Sequence, residues 1–168
     1  MFRFADDLKP IGATPAIFSD TPGSPTALFI AIVSGGYFDP AALALWSGPQ
    51  HPVVAFSVNA LAANIPLTES SAALLKFKND LAPGERGFAQ PTVLGDQLFV
   101  TSDTTDVNSA AFGLATDTGH LYKMDLSNGG NFTTTVINGG AGSIAHSCEA
   151  RSTNAWKGVA RVHNTGPA

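Results

Sequence analysis

Charged side chains are scarce in this sequence, at 13% of its 168 residues. Nine Lys and Arg stand against thirteen Asp and Glu, which leaves a net charge of −4, and the basic residues are scattered along the chain. A protein that follows a phosphate backbone needs a basic stripe. Nucleic-acid binding is therefore not expected, and the polar groups must come largely from Ser, Thr, Asn and Gln, as in many extracellular β proteins.

Cysteine and long apolar runs are also nearly absent. The single Cys148 forms no internal disulfide. The longest strongly apolar run, residues 28–33, is as long as a strand and far shorter than the roughly 18 residues of a spanning helix. Residues 1–12 lack the basic start and apolar stretch of a secretory signal. We expect no membrane span, and a role outside the cell would make this chain part of a longer exported precursor.

Glycine and proline, by contrast, are abundant, with 17 and 11 residues, and they divide the chain into segments of strand length. Residues 27–33 and 53–58 are apolar enough to form strands buried on both faces. Residues 69–81 favour a strand over a helix, whereas residues 40–46 fit a short helix and an apolar loop equally well. This pattern predicts an all-β fold.

Three apolar landmarks recur in the same order along the chain. Residues 15–20, 28–31 and 53–58 return as residues 91–96, 98–101 and 121–126. The displacement between the copies shrinks along the chain, mainly because the turn at residues 21–27 is reduced to Gln97 in the second copy. The two copies keep their apolar segments but differ in the length of a turn. This is typical of a repeated supersecondary unit.

The repeat divides the chain into units. We predict a first unit over residues 14–81, a second over residues 86–137 and the start of a third within residues 142–162, with a strand at 156–162. The strands predicted for the second unit are 91–94, 97–101, 111–115, 120–126 and 132–137. A tight turn at Gly95-Asp96 joins the first two of them, because both residue types tolerate positive φ.

Four antiparallel strands joined by short turns and repeated are the arrangement of β-propeller blades. Two blades do not close a ring, so the prediction is a partial β-propeller whose open strand edges need further blades, other subunits or self-association. A β-sandwich is the alternative, which explains the number of strands but not their ordered repetition.

Residues 119–129 read GHLYKMDLSNG and resemble the strand and turn of quinoprotein-type propeller repeats and of the PilY family of type IV pilus tip-associated adhesins. Residues 34–37, 84–86, 90–93 and 98–102 are similar to passages in the C-terminal propeller of that family. The match covers roughly residues 27–137.

The resemblance implies a secreted, surface-exposed, non-enzymatic protein that acts in surface attachment and pilus assembly. Its partners would be pilus subunits or further blades of the same protein. An alternative is a fragment of a quinone-dependent dehydrogenase propeller, but such an enzyme needs tryptophans at regular blade positions, and Trp46 and Trp156 do not fall at matched positions. A stand-alone structural β module is the third reading.

Candidate sites are few. Asp103, Asp106 and Asn108 offer three oxygen ligands for calcium, although their spacing breaks the D-x-D-x-D alternation of the family's calcium loop, and a solvated loop is favoured. His146, Cys148 and Glu149 lack the paired spacing of a zinc site. No G-x-S-x-G elbow or phosphate loop is present, so we expect no catalytic or cofactor-binding residues.

Overall fold

The computed structural model describes residues 2–3, 10–11, 13–19, 27–35, 50–58, 75–83, 85–87, 89–104, 118–138, 141–150 and 156–164. All elements in these ranges are strands, which confirms the predicted all-β fold. They are β1 (Phe2–Arg3), β2 (Pro10–Ile11), β3 (Ala16–Ser19), β4 (Leu28–Val33), β5 (Pro52–Ser57), β6 (Leu75–Asp80), β7 (Glu85–Arg86), β8 (Thr92–Leu94), β9 (Gln97–Thr104), β10 (Thr118–Asp125), β11 (Thr133–Asn138), β12 (Ala141–Ala150) and β13 (Trp156–Asn164).

The first large sheet has four antiparallel strands in the order β3-β4-β5-β6. Its central strands read LFIAIV and PVVAFS, and such uninterrupted apolar runs suit strands covered on both faces. In agreement, Ile32 and Val54 belong to a cluster on one face, and Val33 and Val53 to a cluster on the other. Both strands lie within one residue of their predicted bounds, and β6 confirms the strand favoured for residues 69–81.

The second large sheet is built in the same way around β9 and β10. β8 and β7 share one edge of β9, with β8 at its start and β7 at its end, and β10 and β11 follow on the other side. The chain turns between β8 and β9 at Gly95, whose φ of +62° is in the region that favours glycine. The turn predicted at Gly95-Asp96 is therefore confirmed.

Two hairpins complete the described structure, β1 with β2 and β12 with β13. The strand predicted at 156–162 is part of β13. The short strands β1, β2 and β7 and the long strand β12 were not predicted, and the features expected at 40–46 and 111–115 lie outside the described residues. In the part of the chain that is described, no helix has the length and apolar character to cross a membrane.

The strand registers repeat between the two large sheets. Ile17 pairs with Ile30 in the first sheet, and Val93, which the repeat matches to Ile17, pairs with Leu98 in the second. Leu98 is thus the counterpart of Ile30, whereas the sequence repeat had matched it to Leu28. The sequence repeat had aligned Leu98-Phe99 with Leu28-Phe29. This alignment displaced β9 by two residues relative to β4.

The next pair of strands gives the same correction independently. Val54 pairs with Ile32 in the first sheet, and Tyr122, which the repeat matches to Val54, pairs with Val100 in the second. Val100 is therefore the counterpart of Ile32. Because side chains alternate along a strand with a period of two, the correction keeps every side chain on its face of the sheet. Equivalent faces of the two sheets can therefore be identified.

We call one side of each sheet its front face and the other its back face. The front face of the second sheet carries Val93, Leu98, Val100, Tyr122 and Met124, and that of the first sheet carries the counterparts Ile17, Ile30, Ile32, Val54 and Phe56. One core cluster joins the front face of the second sheet to residues on the back face of the first sheet, among them Ala31, Val33, Val53 and Ala55. The two sheets are thus stacked head to tail.

Candidate functional site

The most concentrated set of buried polar groups surrounds Glu85, in the short edge strand β7. Glu85 is 3% exposed, and its backbone pairs with Thr104 at the end of β9. Its Oε2 accepts hydrogen bonds from the Ser102 hydroxyl at 2.7 Å and the Tyr122 hydroxyl at 2.5 Å. A buried carboxylate is costly unless it is hydrogen-bonded, and here one oxygen receives two donors from the two central strands of the sheet.

Tyr122 connects this carboxylate to the end of the first sheet. Its hydroxyl donates to Glu85 and accepts from the backbone N–H of Ala82 at 3.2 Å, in the segment that follows β6. Its ring stacks on Phe132 at 4.9 Å between centroids. Burial, and then the hydrogen bond to Glu85, raise the pKa of Tyr122 to about 12, so the hydroxyl keeps its proton across the physiological range.

One further titratable side chain, His120, lies beside Glu85, whereas the neighbouring Arg86 leaves β7 on the other face of the strand. Nδ1 of His120 is 2.9 Å from Glu85 Oε1, out of line for a hydrogen bond but close enough to form an ion pair when the imidazole is protonated. Arg86 is 1% exposed, and its burial lowers the pKa of the guanidinium. The site therefore holds a carboxylate, two hydroxyls and an imidazole, of which the Glu85, Ser102 and Tyr122 side chains are buried and that of His120 is half-buried.

A second buried polar contact lies between Ser34 and His51. The Ser34 hydroxyl is 2.7 Å from His51 Nδ1, and the two residues are 0% and 3% exposed. The Ser34 carbonyl accepts the N–H of Gly87 at 3.1 Å, and the His51 carbonyl accepts the N–H of Leu81 at 2.9 Å. Through these hydrogen bonds the pair ties the ends of β4 and β5 to the segments before and after β7.

Both polar contacts therefore have the same role. They form hydrogen bonds between buried groups where the two sheets meet. Gly35 and Gly87 form a bridge between the sheets, and a Cβ on either residue would overlap with the other strand's atoms. The backbone of Gly87 leaves no room for a Cβ at residue 35, and the Val33 side chain leaves none at residue 87. Both contacts therefore lie at the junction of the two large sheets.

The residues singled out in the sequence as calcium ligands are not all described. Asp103 lies within β9, where its backbone pairs with Arg86 and Gly119, and Asp106 and Asn108 lie outside the described residues. Among the described residues no three His, Cys, Asp or Glu side chains are grouped to hold a metal ion. Calcium binding in this loop stays a prediction.

His146, Cys148 and Glu149 lie on β12, of which the backbone alone is described. Their backbones pair with Ala160, Gly158 and Lys157 of β13.

Sequence reasoning missed the cluster around Glu85. Neither Glu85 nor His51 was predicted to be a site residue. The one signal available was the polar side chains at alternate positions of two strands, Ser102 in β9 and the pair His120 and Tyr122 in β10, on the face that otherwise reads as core. Their common partner is distant in the sequence, so it could not be assigned from spacing.

A comparison of the chain with protein-family models, curated proteins and solved structures gives no match. What the fold and the site define is an all-β protein whose two large antiparallel sheets are stacked with unlike faces together and joined by buried polar contacts.

Proposed function

We propose that this chain is a segment of a β-propeller in an adhesin-like protein of type IV pili, which acts outside the cell in surface attachment and pilus assembly. The observation that carries the proposal is the head-to-tail stacking of the two repeat units. Its role at the pilus rests on the resemblance of residues 27–137 to the PilY family.

Head-to-tail stacking favours a propeller over a sandwich. In a sandwich of two sheets related by a twofold axis, the same face of each unit would meet its counterpart. Here the front face of one sheet meets the back face of the other, as in a heterologous interface. An interface of this kind adds further units until a ring closes. The stack therefore calls for further units on both sides, and those units are the first class of partner we propose.

The next unit would lie on the back face of the second sheet. β12 runs close to β9 and β10. Since β9 already has hydrogen-bonded neighbours on both edges, and the front face of its sheet meets the first sheet, the back face is where β12 has room. This supports β12 and β13 as strands of a third unit.

The burial of the polar clusters supports a non-enzymatic role. Ser34, Glu85 and Ser102 are each at most 3% exposed, and their hydrogen bonds connect strands of the protein to one another. Groups engaged in this way are not available to a substrate. Function would then lie on the outer surface of the array, through protein–protein and surface contacts.

The experiment that tests this proposal is an antibody raised against the chain and used on sheared surface filaments and on cell fractions. We expect a species several times larger than 17.3 kDa in the filament fraction. A strain without the gene controls for cross-reaction. A species of the chain's own size in the cytosolic fraction would contradict both the propeller and the pilus assignment.

A further inference from the structure

The outer edge of β11 is unusually open. β11 is the last strand of the second sheet, and within the described strands its outer edge is paired with none. Residues 131–136 are all exposed, on both faces of the strand, and Val136 is 61% exposed. A row of backbone N–H and C=O groups along such an edge is able to pair with another strand.

The equivalent edge strand of the first sheet is protected against such pairing. β6 reads LKFKND, with two lysines and an aspartate, and a bulge interrupts its register opposite Ala55 and Phe56. Charges and bulges are the common means by which proteins keep sheet edges apart. Lys78 and Asp80 are both substantially exposed there and lie 3.5 Å apart.

β11 has none of these protections. It reads TTTVIN, with no charge, proline or glycine, and it pairs with β10 without a register shift. All of its residues except Asn138 are β-branched, the residue class that best fits a pleated strand. Two edge strands with the same place in the repeat thus differ in their protection against an added strand.

We propose that β11 pairs in antiparallel fashion with β11 of a second copy of this chain, across a twofold axis. Pairing centred on Thr135 places Thr134 opposite Val136 and Thr133 opposite Ile137, so that every facing pair is β-branched. Because the strand has no charge, two copies meet without the like-charge repulsion that a twofold axis imposes on a charged edge. The two second sheets then form one continuous sheet. This inference does not rest on the proposed pilus function.

Cross-linking tests the register directly. A Thr135→Cys variant, made together with Cys148→Ser, brings two thiols opposite each other at a separation that a disulfide spans. We expect a covalent dimer under mild oxidation. The matched control is Lys78→Cys in the same background, on the protected edge β6, which is expected to form no covalent dimer. Equal cross-linking at both positions, or none at residue 135, would overturn the proposal.

Sedimentation of the full chain tests the energetics. The native chain should show a concentration-dependent dimer, Thr135→Lys should weaken it by about tenfold or more, and Thr135→Val should keep it. The thermal midpoint of each variant checks that the fold is intact, since residue 135 is exposed. A dimer unchanged by Thr135→Lys would overturn the inference. So would a monomer that binds an extended Thr/Val-rich peptide at this edge but not a second copy.

Discussion

Glu85 is a carboxylate that the fold has taken out of water and surrounded with two hydroxyl donors and an imidazole. Ser102 comes from β9, and Tyr122 and His120 come from β10, so the carboxylate fixes β7 against both strands at one point. Because a buried hydroxyl that loses its acceptor costs about 1–3 kcal/mol, the contribution of this residue to stability should be measurable.

Replacing Glu85 by alanine should lower the free energy of unfolding by about 1–3 kcal/mol, because the hydroxyls of Ser102 and Tyr122 lose their common acceptor. Urea denaturation measures the change. Asp80→Ala removes a carboxylate that is 42% exposed and paired at the surface, and it should cost no more than about 0.5 kcal/mol. Equal losses in the two variants would mean that the buried cluster is not a structural tie.

The phenol of Tyr122 gives the protein a pH dependence in the alkaline range. Its pKa is raised from 10.0 to about 12 in the folded protein, so between these values the folded state holds a proton that the unfolded state has released. Stability is complete below pH 10 and falls as the pH rises toward 12, by a total on the order of 2 kcal/mol.

Urea denaturation at a series of alkaline pH values should show this fall, and Tyr122→Phe should flatten it. The absorbance of phenolate resolves the same event, because the chain has just two tyrosines. Tyr37→Phe should leave the late titration step in place, and Tyr122→Phe should remove it. A late step that survives Tyr122→Phe would show that another group carries the shift.

The turn between β10 and β11 also connects the two sheets. Gly129, in the turn between β10 and β11, has a φ of +70° and lies against the first sheet, with its carbonyl accepting from Asn79 at 2.8 Å. A Cβ at this position would lie 2.8 Å from the ring of Phe77 and from the amide nitrogen of Asn79. The position therefore requires glycine for two reasons, its backbone angle and its contact with β6.

Gly129→Ala should destabilise the protein more than Gly95→Ala does. Gly95 also has positive φ, at +62°, but nothing lies within 4 Å of a Cβ placed there. The Gly95 variant should lose about 1 kcal/mol through backbone strain alone, and the Gly129 variant should lose about 1–3 kcal/mol more through the clash with β6. Thermal or urea unfolding compares them, and equal losses would refute the contact.

Strands were predictable where the sequence pattern is local. β4 and β5 are continuous apolar runs, and the β8–β9 hairpin has Gly95 at its turn, so neither needed tertiary information. β7 was missed because two residues have no pattern of their own, and Glu85 becomes a strand residue through its contacts with β9 and β10. The alignment of β9 with β4 was wrong by two residues. Strand register is fixed by hydrogen bonding to the neighbouring strand, and identical residues at another offset do not reveal it.

Head-to-tail stacking makes the whole molecule asymmetric along the stack. Val93 packs against the core between the sheets, whereas its counterpart Ile17, on the front face of the first sheet, is 67% exposed. The same position in the repeat is thus covered in one unit and open in the other. A preceding unit would cover Ile17 in the longer protein that we propose.

The same substitution at these equivalent positions tests that arrangement. In the isolated chain, Val93→Lys should cost about 2 kcal/mol and Ile17→Lys no more than about 0.5 kcal/mol. In the longer protein both should be destabilising, because both side chains would then be covered. Urea denaturation of the two forms gives the comparison, and an Ile17→Lys variant that stays neutral in the longer protein would contradict a preceding unit.

The back face of the first sheet has a further consequence during synthesis. Ala31, Val33, Val53 and Ala55 are covered by side chains from β9 and β10, which leave the ribosome well after them. At about 5–20 residues per second, that apolar strip stays exposed on the nascent chain for several seconds. Chaperone binding to the nascent chain should therefore be strongest when the first sheet has left the ribosome and the second sheet is still inside the exit tunnel.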